Sequence, residues 1–191
     1  MNARWHTAHV LPRGATLTTR VRWHVAHARH CGCRAIPATA GANMTPASLL
    51  AFLREHRVAV EASVTAAGAA QAAVVGIAVS DQFEIVFDTL GSSRKAANLR
   101  QNPALALVIG GLLPGEERTA QYEGVADEPS GSELERLTQI YYAVYPDGPS
   151  RLSWPGLTYV RVRPRWIRFS DYTQAPPLIV EFSGDQLGLD R

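Results

Sequence analysis

The segment "FEIVFDTLGSSRKAANLRQNPALALVI", residues 83–109, decides the fold, because it places a strand, a helix and another strand in direct succession. Apolar side chains at every second position from Phe83 predict the first strand. Gly91 and two serines then open a helix of good helix formers that Pro103 ends. The apolar run "ALALVI" predicts the strand that follows. The first turn of the helix carries Lys95, the only lysine of the chain.

The residues before this segment predict one helix and two strands. In "MTPASLL", Thr45 can cap a short helix whose first residue is Pro46, where a missing N–H costs nothing. "HRVAVEASV" and "GAAQAAVVGIAV" have the alternation and small apolar residues of strands. We expect the second of them to form a hairpin with the strand of Phe83 around Ser80-Asp81.

The residues after it predict further antiparallel structure. "RTAQYEGVA", residues 118–126, alternates as a strand does, and Ser132 with Glu135 forms a capping-box pattern for a second substantial helix. "LTYVRVRP" and "RWIRFSDY" predict two more strands. Six or so strands with two or three helices and no repeated βαβ order predict a mainly β fold, an antiparallel barrel with helices packed outside.

The N-terminal 43 residues differ from the rest in composition. They carry six arginines and no acid, against a net charge of +2 for the whole chain, and show no helical or strand periodicity. Their His24, His27, His30, Cys31 and Cys33 match none of the usual paired zinc patterns, so we expect no metal site. The segment also resembles an organelle transit peptide in composition.

We favour a simpler interpretation of residues 1–43, as a disordered leader or as translated sequence ahead of a true start at Met44. The domain organisation expected is therefore this leader followed by one folded domain, residues 44–191. The longest apolar stretch, "ALALVIGGLL", is too short to span a bilayer. We expect no membrane helix and a cytoplasmic protein.

The most specific chemical feature is the helix start in "GSSRKAANL", residues 91–99. Ser92, Ser93, Arg94 and Lys95 gather hydroxyls and two cations where a helix presents free backbone N–H groups. That combination suits a phosphate. Cations in a first helical turn are also common on surfaces, so these residues alone leave the question open.

The order of these motifs resembles the pyridoxamine 5'-phosphate oxidase-like family of FMN-binding split barrels. The resemblance lies in residues 83–109, in "RTAQYEGVA" and in "VRPRWIRFSDY", and it covers essentially residues 44–173. It implies a six-stranded antiparallel split β-barrel and a homodimer with FMN in a groove between the subunits.

The resemblance also implies which residues bind FMN. Arg94 and Lys95 would hold the phosphate with Ser92 or Ser93, and Phe87, Asp88 and Thr89 would line the adjoining strand end. The second strand would pass beside the flavin ring through Ala73, Val74, Val75 and Gly76. Thr119 stands where the true oxidases have a flavin-contacting Gln, and Gln121, two residues along the same strand face, could substitute for it.

Two departures from the family concern the substrate. The true oxidases place basic residues on the second strand and end in a Trp and Arg motif that binds the substrate phosphate, whereas "AAVVGIAV" has no basic residue and the chain ends in "APPLIVEFSGDQLGLDR". We therefore do not expect pyridoxine or pyridoxamine phosphate as the substrate. Tyr145 and Trp154 are the aromatic candidates for the floor of a substrate pocket.

The sequence thus leads to an FMN-dependent oxidoreductase that acts on a small organic molecule, with hydride transfer at the flavin. The alternatives are a non-catalytic, redox-responsive flavin-binding dimer and a reductase that uses the deazaflavin F420. Haem is disfavoured, because His56 is the only histidine of the expected folded region. A nucleic-acid partner is not expected, since that region is net acidic.

Overall fold

The computed structural model describes residue 5, residues 8–10 and residues 44–187. Its contacts divide the chain into two compact units, one with Met44–Ser170 and the stretch from Ile179, the other with the N-terminal residues and Asp171–Leu178. The predicted leader, with its histidine and cysteine candidates, lies outside the described residues except at positions 5 and 8–10. The domain boundary at residue 44 stays a prediction.

Residues 44–187 form three α-helices, two short 3-10 helices and eight strands. The α-helices are α1 (Pro46–Glu55), α2 (Arg94–Gln101) and α3 (Gly131–Val144), and the 3-10 helices are Gly148–Ser153 and Asp185–Leu187. The strands are β1 (Val58–Val64), β2 (Ala70–Gly76), β3 (Ala78–Val79), β4 (Ile85–Leu90), β5 (Ala104–Ile109), β6 (Arg118–Asp127), β7 (Leu157–Asp171) and β8 (Leu178–Ser183).

The strands form one sheet in the order β2-β1-β5-β6-β7-β4-β3, with β8 also paired to β7. The pairings of β1 with β2 and β5, of β5 with β6, and of β4 with β3 and β7 are antiparallel. The predicted class is confirmed: a mainly β antiparallel fold of the split-barrel type with flanking helices. None of the helices among the described residues is long and apolar enough to cross a membrane.

The core lies on the inner face of the sheet and is fixed by one buried tyrosine. Tyr122 of β6 is fully buried, and its hydroxyl donates towards the carbonyls of Phe83 and Val162, each at 2.9 Å. Burying a tyrosine costs little when its hydroxyl finds such a partner. The side chain therefore ties β6 to the backbone at the start of β4 and to β7.

The structure departs from the sequence-based expectation in strand number. The predicted second strand divides at Ile77, whose N–H donates to the Arg57 carbonyl at 2.8 Å, so that β2 pairs with β1 and β3 turns to pair with β4. The two predicted C-terminal strands are one strand, β7, which runs through Pro164. The φ angle of proline suits an extended strand, so this residue did not end it.

Of the two predicted helix caps, one is confirmed and the other is wrong. The capping at Thr45 is confirmed, because its side chain accepts from the Ser48 N–H and Ser48 accepts from the Thr45 N–H. The capping box of Ser132 and Glu135 is wrong. Helix α3 begins two residues earlier than that cap predicts, at Gly131, with Ser130 as a cap that makes no side-chain hydrogen bond. Ser132 consequently lies inside the first turn.

Candidate functional site

The end of β4 and the start of α2 bring together two hydroxyls and a cation. Lys95 Nζ donates to Thr89 Oγ1 at 2.8 Å, and Thr89 Oγ1 lies 3.1 Å from Ser93 Oγ. Ser93 is the N-cap of α2 and accepts from the Ala96 N–H at 3.3 Å. The backbone N–H groups of the first helical residues have no intrahelical acceptor. The helix therefore begins with donors available to an anion.

A second set of contacts holds the start of α2 against the sheet. Asn98 is buried, and its Nδ2 donates to Ser63 Oγ at 3.3 Å and to the Gln71 amide at 2.9 Å. The other amide atom of Gln71 lies 3.0 Å from Arg94 Nε. Because Gln71 stands on β2 and Ser63 on β1, these amides fix the position of Arg94 relative to both strands.

Between the helix start and the two strands lies a groove with a volume of about 490 Å³. Its size falls within the range of about 300–1,000 Å³ that is usual for small-molecule sites. The groove is open to solvent on one side, and its walls combine cations, hydroxyls and small side chains. They come from β1, β2 and α2: Glu61, Ser63, Gln71, Ala72, Ala73, Ser93, Arg94 and Lys95.

The charges in this groove are incompletely paired. Among the ion pairs that join described residues, none includes Arg94 or Lys95. Glu61 is 1% exposed, and its Oε1 makes no hydrogen bond. Burial raises the pKa of Glu61, while a hydrogen bond with Ser63 and the positive charge of Lys95 oppose the rise. Unpaired cations beside free helix N–H groups fit a phosphate group.

The structure gathers only part of the predicted FMN set in this groove. Ala73, Ser93, Arg94 and Lys95 line it, and Thr89 is held by Lys95. Ser92 is exposed beside the groove and makes no side-chain hydrogen bond.

Other members of the set have different surroundings, because successive strand residues face opposite ways. Phe87 is buried in the core. Asp88 lies 2.9 Å from the Arg151 guanidinium and accepts from the Tyr141 hydroxyl at 3.0 Å. Its carboxylate is therefore engaged with α3 and the following 3-10 helix.

The three predicted residues at the end of β2 also separate. Val74 is 69% exposed, and Val75 is buried. Gly76 lies against Tyr145, and a Cβ at this glycine would stand 2.8 Å from the tyrosine hydroxyl oxygen. A larger residue at position 76 would displace the ring.

Thr119 and Gln121 lie on the outer face of the sheet. Gln121 of β6 stands opposite Val108 of β5, and Val108 stands opposite Val60 of β1. Val60 faces the other side of the sheet from its neighbour Glu61, which lines the groove. The side chains at positions 60, 108 and 121 therefore point away from the groove. Within a single chain the two predicted flavin contacts and the phosphate groove stand on opposite faces.

The two substrate candidates stand apart from the groove. Tyr145 stacks on Tyr141 with ring centroids 4.7 Å apart, and its hydroxyl donates to the Arg57 carbonyl. Trp154 ends the 3-10 helix that follows α3 and is 54% exposed. Neither side chain lines the cavity beside Lys95.

Sequence reasoning missed three polar residues of the groove, Glu61, Ser63 and Gln71, and it also missed Asn98, which contacts two of them. Glu61 carried a usable signal, because it shares a strand face with Ala59, whose side chain is fully buried. An acid on the buried face of a strand is rare unless it is paired or functional. The contribution of Gln71 depends on the register of β1 with β2, in which it stands opposite Ser63.

The described residues contain no cluster of His, Cys, Asp and Glu that could hold a metal ion. His56, at the end of α1, has its Nδ1 2.8 Å from the Phe52 carbonyl and its Nε2 3.8 Å from a Glu116 oxygen. Its ring also packs on Phe52, with centroids 4.5 Å apart. Both nitrogens thus face protein groups.

Comparison with solved structures identifies the fold. A heme-binding protein from Mycobacterium smegmatis has a TM-score of 0.64 at 15% identity, covering 75% of this chain and 60% of its own. ChuZ from Campylobacter jejuni has 0.62 at 10%, covering 90% and 70%. A protein from Listeria innocua, titled a putative pyridoxamine 5'-phosphate oxidase, has 0.52 at 20%, covering 65% and 96%.

Identities this low establish the fold alone, and the chain spans only about 60% of the length of the M. smegmatis protein. No curated protein matches the sequence. A family model described as pyridoxamine 5'-phosphate oxidase matches residues 45–171, which is more than half of the chain. The match includes β1, β2, β4 and α2, the elements that build the groove. The chain therefore belongs to the pyridoxamine 5'-phosphate oxidase family.

Proposed function

We propose that this protein binds FMN and is an oxidoreductase that acts on a small organic molecule. The observation that carries the proposal is the open groove at the start of α2, where Arg94 and Lys95 have no acidic partner in an ion pair among the described residues. Membership of the family supports flavin as the group that needs such a groove. A heme-binding protein and a heme storage protein are also among the related structures.

The residues of the groove would divide the binding of FMN among them. Lys95 would meet the phosphate as a compact charge, and Arg94 would place its planar guanidinium on other phosphate oxygens. Ser93 and the first N–H groups of α2 would supply further hydrogen bonds. Ala72 and Ala73 are small, so the β2 backbone can approach a bound ring closely.

The chain itself supplies position and electrostatics. FMN, when bound, supplies hydride chemistry. No cysteine lies among residues 44–187, and the groove holds no pair of carboxylates or histidine beside a nucleophile. The side chains of the groove therefore bind, orient and set the local charge, and Glu61 is the one acid among the residues that line it.

Identification of the bound group in the native protein tests the proposal. Native mass spectrometry of the purified protein should show the mass of FMN, with absorption in the two flavin bands. Bleaching of that absorption by NADH or NADPH, and its return with an electron acceptor, would support the oxidoreductase. Binding without reduction would favour a non-catalytic flavin carrier, and F420 or haem in place of FMN would overturn the proposal.

We also propose that the protein forms a homodimer through the outer face of β2, β1 and β5. This face is rich in exposed apolar side chains: Val58, Ala62, Ala72, Val74, Ala106 and Val108. An apolar surface of this kind on a β-sheet is typical of an interaction site. Thr119 and Gln121 lie on or beside the same face, so the proposed interface would bring both copies of these residues to the subunit boundary.

Substitution of Val74 tests the homodimer. Val74→Arg places a charge in the middle of the proposed interface, so we expect it to give monomers in analytical ultracentrifugation and to weaken FMN binding. Ile179→Arg is the matched control, because Ile179 is an exposed apolar residue on β8. A Val74→Arg protein that sediments as the wild type does would contradict the proposed interface.

A further inference from the structure

The groove contains one group that phosphate binding alone does not explain. Glu61 stands in the middle of β1, between Ala73 of β2 and Leu107 of β5, and only 1% of the residue is exposed. Its carboxyl group lines the same cavity as Ser93 and Lys95, and Oε1 has no hydrogen-bond donor. A buried acid is an unfavourable component of an anion site, because a carboxylate repels a phosphate.

The charged side chains near Glu61 belong to helix α2. The two neighbouring strands, β2 and β5, contain no titratable side chain. Helix α2 contributes Arg94 and Lys95 at its start, while Arg100 at its other end pairs with Glu128 at 2.7 Å. The ionisation of Glu61 therefore depends on burial, which opposes it, and on Lys95 with a Ser63 hydrogen bond, which favours it.

We propose that a phosphate enters this groove together with a proton that is taken up by Glu61. The proposal rests on the FMN-binding function proposed above. With the groove empty, the positive charge of Lys95 stabilises the Glu61 carboxylate. A phosphate held by Lys95 cancels that positive potential and brings its own negative charge, so the neutral acid becomes the favoured form. The acid can then donate a hydrogen bond from the side of the carboxyl group that now has no partner.

The proposal predicts a specific pH dependence. If the bound state holds one more proton than the free state, affinity decreases as pH rises between the pKa of Glu61 in the free protein and its higher pKa in the complex. The decrease is at most about tenfold per pH unit for a single proton. The phosphate group of the ligand works in the opposite direction, because its second pKa is about 6 and the dianion binds cations more strongly.

A matched variant separates these two effects. Glu61→Gln keeps the shape of the side chain and can donate a hydrogen bond, but it cannot titrate. Glu135→Gln is the control, because Glu135 is an exposed residue of α3 without an ion pair. Isothermal titration calorimetry with FMN, in buffers of different ionisation enthalpy from pH 5.5 to 8.5, gives both the dissociation constant and the number of protons bound.

We expect the wild type and Glu135→Gln to take up about one proton more per FMN than Glu61→Gln does, within the pH interval in which Glu61 changes its protonation. We also expect the FMN affinity of Glu61→Gln to exceed that of the wild type increasingly as pH rises through this interval, by up to about tenfold per pH unit, and to equal it below the interval. Inorganic phosphate as the probe should show the same difference in proton number, which would assign the effect to the phosphate part of the site.

Different failures have different meanings. If the wild type binds FMN with the same proton number and pH profile as Glu61→Gln, the coupling is wrong while the binding function stands. If the wild type binds no FMN at any pH, the proposed function itself is wrong. If Glu61→Gln does not fold, the test uses the wild-type protein alone. The proposal is then overturned if the number of protons taken up on FMN binding does not exceed the number that the phosphate group of FMN itself accounts for.

Discussion

This protein has two groups of cationic side chains that differ in whether they pair with acids. One is the pair Arg94 and Lys95 at the start of α2. The other, here termed the ion network, consists of three arginines and three acids from β6, α3, β7 and the position just before β4: Glu84, Asp127, Glu133, Arg136, Arg161 and Arg163. The network lies where β7 passes α3, and the groove lies where α2 meets β1 and β2.

The cations of the ion network are paired throughout. Arg161 is half-buried, and its nitrogens lie 2.6 Å from Asp127 and 2.7 Å from Glu133. Arg136 lies 2.8 Å from Glu84, which is only 5% exposed. These arginines are occupied in holding strands and helix together. The number of cations therefore does not mark a binding site, whereas cations without acidic partners beside a cavity do.

The acids of the two regions show the same contrast. Hydrogen bonds from Arg161 lower the pKa of Asp127, with smaller contributions from the charges of both Arg161 and Arg163. Burial raises the pKa of Glu61, while a hydrogen bond with Ser63 and the charge of Lys95, which forms no ion pair with Glu61, oppose the rise. The network thus favours the charged form of Asp127, whereas burial in the groove disfavours the charged form of Glu61.

The largest effect should come from removing both groove cations. Arg94→Ala with Lys95→Ala removes two charge-assisted contacts to a phosphate, each worth about 1.5–3 kcal/mol. We therefore expect the FMN dissociation constant to rise at least 100-fold, measured by quenching of flavin fluorescence. The folded state should lose little stability, because neither side chain has an ion pair within residues 44–187.

The control for this variant is Arg165→Ala, which removes one positive charge from an exposed position on β7. We expect it to leave FMN affinity within about twofold of the wild type, since long-range charge effects are screened at physiological salt. Equal weakening of FMN binding by Arg165→Ala and by the double variant would show that net charge, and not the groove, controls affinity.

A substitution in the ion network should lower the stability of the fold and leave FMN binding unchanged. Arg161→Ala removes the cation that lies 2.6 Å from Asp127 and leaves the buried Glu84 with Arg136 alone, and breaking such a pair costs about 3 kcal/mol. We expect the midpoint of chemical denaturation to fall accordingly, while the surviving folded protein keeps its FMN affinity. Arg54→Ala offers a comparison, because its partner Asp81 is exposed and such a pair contributes at most about 1 kcal/mol.

Sequence patterns were sufficient for the elements that create the groove. The strand that ends at Leu90, one residue after Thr89, the cap at Ser93 and the helix closed before Pro103 are all local features, and each depends on residues within a few positions of one another. Arg94 and Lys95 followed from the same local pattern, since a helix start defines where its first side chains and N–H groups lie.

The rest of the groove depends on contacts between distant residues. Asn98 reaches Ser63 and Gln71 only because α2 packs across β1 and β2. Asp88 was predicted beside the cofactor, but the structure pairs it with Arg151, which is 63 positions away in the chain and whose approach no local pattern specifies. Strand alternation nevertheless implied that Asp88 and Thr89 could not face the same way.

The smallest effect expected is on the stability of the ligand-free protein, and it has opposite signs in the two regions. The folded-state pKa of Glu61 lies above its unfolded value, so folding favours the protonated acid. The wild type loses that stability as pH rises above the unfolded value and through the folded one. Glu61→Gln should therefore be more stable than the wild type at pH 8, by an amount on the order of 1 kcal/mol, with little advantage near pH 4.

Asp127→Asn should do the reverse, because the folded-state pKa of Asp127 lies below its unfolded value. Its stabilising contribution is present above the unfolded pKa and is lost as pH falls through the folded pKa, so the variant should be less stable than the wild type at pH 8 and close to it at low pH. Thermal unfolding of both variants at pH 4 and pH 8 measures the two signs together. If both were destabilised at pH 8, Glu61 would be a paired structural acid like Asp127, and the distinction between an incompletely paired groove and a fully paired network would not hold.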